Sequence, residues 1–401
     1  MIVTVKPGKA NGILQAPPSK SYAHRMILCA ALARGTSHLH GVALSEDILA
    51  TLDCIRAMGV PFEQDGDTLT IHGGIRPALN PVFPCRESGS TLRFFIPVSL
   101  LCSENAAFSG SERLMERGIH VYEDLFREHG ITFQKTGSQI QASGTLSGGT
   151  FTLPGNVSSQ YISGLLFALP LLSQPSTIHV LPPVESRPYI DITLSVMRTF
   201  GVEVREIAQN TFFIPASQSY QCRDAAVEGD WSNAAFLLAL QALGGSVCVT
   251  GLAENSMQGD KVCVSLFKQL GNSNSTVNIA DCPDLAPVLF ALSAVKGETL
   301  FTGTKRLKIK ECDRGQAMAE ELQKFGIPSE VTENTVRIFG GKLQKPAEIL
   351  CGHNDHRIVM AMTVLASITG GRISDAQAVR KSYPNFFEDM RQLGLEVEYD
   401  D

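Results

Sequence analysis

IRAMGV, residues 55–60, ends an amphipathic stretch on a glycine, and five further stretches end the same way: FREHGI (126–131), MRTFGV (197–202), FKQLGN (267–272), LQKFGI (322–327) and MRQLGL (390–395). The glycines are Gly59, Gly130, Gly201, Gly271, Gly326 and Gly394, separated by 71, 71, 70, 55 and 68 residues. Glycine is the residue a helix uses at its C′ position, where the backbone turns left-handed. Six copies at a nearly constant period describe a chain built from six related modules.

A second recurrence lies upstream of each glycine. A polar cluster opens an apolar run: SKSYAHR at 19, ESGSTLR at 87, VSSQYIS at 157, GDWSNAA at 229, DCPDLAP at 281 and HNDHRIV at 353. Each module therefore reads as polar start, buried helix, strand, loop, amphipathic helix, glycine, then more strand. The fourth is short, because little separates Gly271 from Asp281. A period near 70 exceeds the roughly 20–50 residues of solenoid repeats. Six such βα modules make two domains of three, with a boundary expected near CRDAAVEGD, residues 222–230, and a possible second crossing near QAPPSK. Hairpin signals such as DGDTLTIHGG (65–74) predict mixed rather than purely parallel sheets.

The first cluster poses a charge problem. In PPSKSYAHRMILCAALARG (17–35), Lys20 and Arg25 stand at the front of an apolar helix. Cations there oppose the macrodipole by about 0.3–1 kcal/mol each, whereas a helix start favours a bound anion. Arg93, Lys310, Arg314 and Arg357 occupy comparable places, and Arg117 and Lys381 lie in loops before amphipathic helices. Any one of these reads as a solvated surface charge; the set at corresponding positions calls for a ligand with several negative charges, phosphate plus carboxylate. Arg suits bidentate contact with either group, and Lys a point contact with phosphate. If modules related by rotation point their helix starts the same way, two domains face to face would aim them into one cleft. Ser158, Ser159, Gln160 and Ser186 offer short donors, or serve as plain N-caps. Tyr189 stacks on a ring or fills core, within LPPVESRPYID (181–191), which the prolines predict to be a loop. Asp284 and Glu311 are the acid–base candidates, each also explicable as a helix-start carboxylate.

Composition narrows the function classes. The chain of 401 residues has 44% hydrophobic and 18% charged residues and a net charge of −6, which disfavours nucleic acid as partner. No run of 18 apolar residues is present, so no membrane span is expected. The start, MIVTVKPGK, reads as a strand and turn rather than a signal or transit peptide. Ten cysteines scatter through apolar segments without a CxxC pair, the usage of a reduced, cytoplasmic protein. The HNDH run (353–356) is disfavoured as a metal site because Arg357 adjoins it and no third ligand is apparent.

Taken in order, SKSYAHR, SGSTLR, RLMER, SSQY, SRPYID, DCPDLAP, KECDR and NDHR resemble the 5-enolpyruvylshikimate-3-phosphate synthase family of enolpyruvyl transferases, from residue 4 to about residue 395. The resemblance implies an α/β (α+β) fold: a two-domain inside-out α/β barrel, each domain three βαβαββ units with pseudo-threefold symmetry. It implies domains of residues 14–225 and of residues 226–401 joined by the first strand, 1–13. It implies transfer of the enolpyruvyl group of phosphoenolpyruvate to the 5-hydroxyl of shikimate 3-phosphate with release of phosphate, by a cytoplasmic monomer using no metal or organic cofactor. Carried onto matching positions, Lys20, Ser21, Arg25, Ser158, Ser159, Gln160, Ser186, Tyr189, Asp284 and Lys310 would hold shikimate 3-phosphate. Lys20, Gly89, Arg117, Gln160, Arg314, Arg357 and Lys381 would hold phosphoenolpyruvate. Asp284 would take the hydroxyl proton, and Glu311 would protonate the methylene carbon, with Lys20 beside the reacting groups.

Three positions depart from that pattern: Glu87-Ser88-Gly89 replaces Asn-Ala-Gly, Gly118 replaces a Pro after Arg117, and Arg306 stands where many relatives have a substrate-binding Asn. The nearest rival is the sister enzyme that acts on a UDP-sugar, which has a Lys-Asn pair in place of SKS and commonly a Cys in the mobile loop. RLMERGI has none. A non-catalytic anion-binding protein is the alternative from another class, disfavoured by the joint presence of Asp284, Glu311 and Lys381.

Overall fold

The computed structural model describes residues 1–270 and 275–400. Contacts divide the chain into two compact units, Pro18–Glu228 and Met1–Pro17 with Gly229–Asp401. Strand pairing explains where the chain crosses, a few residues beyond the expected points at 13/14 and 225/226. Asn11–Gln15 pairs in parallel with Ser246–Thr250, which keeps residues beyond 13 in the second unit. Asp224–Ala226 pairs with Gly35–His40, which keeps residues beyond 225 in the first.

The unit Pro18–Glu228 holds three four-stranded sheets of one design. In the middle one, Val82–Pro84 runs parallel to Asn105–Ser109, with the helix Gly89–Ser99 between them in sequence. The helix His120–Arg127 follows. The hairpin Thr132–Thr136/Gln139–Ser143 then adds its second strand antiparallel to Asn105–Ser109. Thr150–Ile214 repeats this βαβαββ order around the helices Ser159–Ala168 and Arg187–Thr199. The first module borrows its leading strand, Asp224–Ala226, from the end of the segment.

The other unit carries the same order complete once, in Ser275–Ile338. The fourth module has two strands among the described residues; its glycine, Gly271, lies outside them. In the sixth, the N-terminal strand Ile2–Val5 lies antiparallel between Gly371–Ile373 and Val397–Asp400, where the second strand of a hairpin stands elsewhere.

The apolar runs become central helices buried on nearly every side, as all-round hydrophobic helices must be. Lys20–Leu32, Gly89–Ser99 and Ser159–Ala168 share one core, and Trp231–Ala242, Ala286–Lys296 and His356–Thr369 share the other. Gly164 lets two of them approach: a Cβ there would lie 2.3 Å from Tyr122 Oη and 2.4 Å from the Arg93 carbonyl oxygen. The repeated glycines Gly59, Gly130, Gly201, Gly326 and Gly394 all have φ between 71° and 83°, just past an amphipathic helix. One local expectation is corrected. Residues 187–191, expected in a loop, begin the helix Arg187–Thr199, because Pro188 falls at its start, where a missing N–H costs nothing. No helix among the described residues is long and apolar enough to cross a membrane.

Candidate functional site

Five of the six central helices begin on a capping side chain. Ser19, Ser88, Ser158, Asp230 and Asp355 accept from backbone N–H groups of Tyr22, Thr91, Gln160, Asn233 and Arg357. The sixth enters through a short 3₁₀ turn, Pro283–Leu285, which contains Asp284.

In the unit Pro18–Glu228, Lys20 is the first residue of its helix and donates to Asp47 Oδ2 at 2.7 Å. Arg25 is 3% exposed. Its Nε donates to Thr193 Oγ1 at 2.7 Å, its Nη1 to the Ser21 carbonyl at 2.7 Å and its Nη2 to the Tyr189 carbonyl at 3.0 Å. Burial lowers its pKa to about 10. Arg25 thus ties Ser21 and Tyr189 into one corner, while lying 5.1 Å from the centre of the Phe94 ring. His24, held far below its usual pKa by burial and by the Lys20 and Arg25 charges, stays neutral between Thr51 and Ser90. The second corner surrounds Gly89. A Cβ there would sit 2.9 Å from both Arg117 Nη2 and Arg93 Nη1, so two guanidiniums crowd the bare start of that helix. Arg93 Nη1 donates to Gln160 Oε1 at 2.6 Å, joining the Ser158–Gln160 helix start. Ser186 adopts a left-handed backbone, φ 58°, before the helix carrying Tyr189, and is buried.

In the other unit, three cations meet three carboxylates. Asp284 Oδ1 accepts from Lys310 Nζ at 3.1 Å and Arg314 Nη1 at 2.8 Å; Oδ2 accepts from Arg357 Nη2 at 3.2 Å. Arg314 also donates to Glu311 Oε2 and Asp355 Oδ2, both at 2.8 Å. Burial works against the Arg314 charge, but Asp355, Glu311 and Asp284 overcome it and raise its pKa. Burial lowers the pKa of Lys310, with Asp284 opposing the shift. Lys381 Nζ donates to the Asn354 carbonyl at 2.6 Å, immediately before this cluster's Asp355. His353 turns away, to Glu321 Oε1 at 3.1 Å. Arg306, at one of the departing positions, is buried with its Nη2 donating to the Ala280 carbonyl.

The structure thus gathers Lys20, Ser21, Arg25 and Tyr189; Gly89, Arg117 and Gln160; and Asp284, Lys310, Glu311, Arg314 and Arg357. Sequence reasoning missed Asp47, which orients Lys20, and Asp355, which caps a helix and grips Arg314 at once. It also missed Asp260, buried in MQGDK, which accepts a short hydrogen bond from Ser232 Oγ. Burial first, and the nearby Asp284 charge second, push its carboxyl up to about 7. Asp47 and Asp355 were legible as helix-start acids; Asp260 carries no local signal.

Comparison with known proteins adds three findings. The family described as EPSP synthase (3-phosphoshikimate 1-carboxyvinyltransferase) matches residues 5–390. Proteins named 3-phosphoshikimate 1-carboxyvinyltransferase are similar throughout: that of Clostridium kluyveri is 37% identical, over 99% of this chain and 98% of its own length, and one from Clostridium perfringens is 36% identical, over 98% of both. Among solved structures, an EPSP synthase from Acinetobacter baumannii has a TM-score of 0.81 and 25% identity, covering 99% of this chain and 100% of its own.

Proposed function

Since the chain belongs to the EPSP synthase (3-phosphoshikimate 1-carboxyvinyltransferase) family, we propose that its clustered cations bind the two anionic substrates and that Asp284 and Glu311 carry the proton transfers. The chain transfers the enolpyruvyl group of phosphoenolpyruvate to shikimate 3-phosphate, in the shikimate pathway. On this reading Lys20, Ser21, Arg25, Ser158, Ser159, Gln160, Ser186, Tyr189, Asp284 and Lys310 hold shikimate 3-phosphate. Gly89, Arg117, Arg314, Arg357 and Lys381 hold phosphoenolpyruvate, with Lys20 and Gln160 reaching it too. Ten free cysteines, most of them buried, support work in a reducing cytoplasm.

The observation that carries the assignment is the Asp284 carboxylate, bound by Lys310, Arg314 and Arg357 at a helix start with Glu311 on the same Arg314. The reaction adds a proton to the methylene carbon and the 5-hydroxyl oxygen to C2; the methyl group so formed then gives up a proton as phosphate leaves, which restores the carbon–carbon double bond. It therefore needs one carboxyl that gives a proton and one carboxylate that takes the hydroxyl proton. Glu311 fills the first role and Asp284 the second. Lys310 donates to Asp284 Oδ1 and orients that carboxylate toward the hydroxyl. Arg314 and Arg357 neutralise the phosphate as it leaves.

Asp284→Asn and Glu311→Gln should each lower kcat by about 10²–10⁴-fold, the range of one general acid or base, while calorimetry still shows shikimate 3-phosphate binding. A variant that keeps near-normal kcat removes its residue from the chemistry.

A further inference from the structure

We propose that Tyr161 is a positioning residue for Arg117, its hydroxyl holding the Gly118–Ile119 peptide and so the turn that carries Arg117, with the guanidinium over the start of the Gly89 helix. The proposal rests on the reading of Arg117 as a phosphoenolpyruvate contact and deepens it.

Arg117 follows the helix Glu112–Glu116, which has five residues and is too short to hold its own C-terminal end. Two side chains tie it down from outside. Lys135 Nζ donates to the Met115 carbonyl at 3.2 Å, and Tyr161 Oη donates to the Gly118 carbonyl at 3.3 Å. Gly118 has φ 68°, a left-handed backbone open to glycine at little cost. The Arg117 and Gly118 N–H groups bond back to the Arg113 and Met115 carbonyls, both at 3.2 Å, and the next peptide, Gly118–Ile119, is held by the Tyr161 hydroxyl.

Tyr161 itself is anchored. It is the third residue of a central helix and 1% exposed. Its ring meets the Tyr122 ring edge to face at 4.8 Å, and Tyr122 Oη shares its proton between the Tyr161 and Arg93 carbonyls at 2.8 and 2.9 Å. The Arg93 guanidinium lies 5.1 Å from the Tyr161 ring centre, and its Nε has no hydrogen-bond partner among the described residues. Arg93 thus leans on the ring on one side and on Gln160 on the other. Both Arg93 and Arg117 converge on the space a Cβ at Gly89 would occupy. One tyrosine, fixed from behind, therefore supports the Arg93 guanidinium with its ring and the backbone next to Arg117 with its hydroxyl.

Tyr161→Phe keeps the ring and removes the hydroxyl, so the fold is preserved. Loss of one neutral hydrogen bond should raise KM for phosphoenolpyruvate about two- to tenfold. KM for shikimate 3-phosphate and the thermal midpoint should stay unchanged, and trypsin should cut the free enzyme after Arg117 faster. Arg117→Ala, run in parallel, must itself raise KM for phosphoenolpyruvate; if it does not, the reading beneath the proposal fails whatever Tyr161 does. If Arg117→Ala does so but Tyr161→Phe changes neither that KM nor the cleavage rate, the positioning role is overturned. It is equally overturned if Tyr161→Phe raises both KM values together and lowers the thermal midpoint, the pattern of a purely structural residue.

Discussion

At Asp260 burial and charge pull in opposite directions. The side chain is 2% exposed, accepts from Ser232, and shares its surroundings with Asp284, Asp230 and Arg357. Burial and the two carboxylates favour the protonated form, and Arg357 and Ser232 favour the charged one; the balance lies at about 7 against an ordinary 3.8. The folded chain therefore binds this proton more tightly than the unfolded chain, so Asp260 costs stability as pH rises from about 4 to about 7 and no more beyond that. Asp260→Asn keeps an acceptor for Ser232 and removes the titration. Measured by denaturation at a series of pH values, the stability of the variant relative to the unsubstituted enzyme should rise from pH 5 to pH 7 and level off above. A difference that stays flat across that range would place the Asp260 proton elsewhere. The sequence could not have shown this: an Asp in a Gln-Gly-Asp-Lys turn looks like surface until Ser232, 28 residues earlier, is packed against it. Lys20, Asp284 and Arg357 were legible because each sits in a polar cluster that opens an apolar run.

Among the elements, the central helices show which rules were readable. All-round apolarity announced their burial, and the period of the glycines announced the modules, since a left-handed C′ is a local demand met by a local residue. The start of Arg187–Thr199 was less legible, because Pro188 reads equally as loop or as helix start and the neighbouring prolines favoured the loop. The mutual approach of Gly89–Ser99 and Ser159–Ala168 was not legible at all, since nothing near Gly164 says what will face it. That approach is testable. Gly164→Ala would place a methyl 2.4 Å from the Arg93 carbonyl oxygen, which is backbone and cannot rotate away. Overpacking of this kind should lower stability by about 1–3 kcal/mol, read as a lower midpoint in urea. Unchanged stability would show that the two helices have room to separate.

Across the whole molecule, the modules are closed by segments distant in sequence. Asp224–Ala226 completes the first sheet of its unit, and Ile2–Val5 is the middle strand of the last sheet of the other, with Val3 and Val5 fully buried. The repeat predicted six modules, and the resemblance implied that the first strand joins residues 226–401; the strand each segment pairs with was not legible, because pairing depends on partners hundreds of residues apart. Deleting residues 1–5 leaves Gly371–Ile373 and Val397–Asp400 without the strand between them. The truncated enzyme should melt at a clearly lower temperature and lose most of its turnover, and a truncation with unchanged melting and activity would refute the structural role of that strand. The central claim is that the cations at these helix starts serve phosphoenolpyruvate and shikimate 3-phosphate together, with one carboxyl and one carboxylate moving the protons. Its most direct test is phosphate release, measured with both substrates, with each omitted, and with UDP-N-acetylglucosamine in place of shikimate 3-phosphate. The account predicts release only when phosphoenolpyruvate and shikimate 3-phosphate are both present; release with the UDP-sugar instead, or none with the full pair, would contradict it.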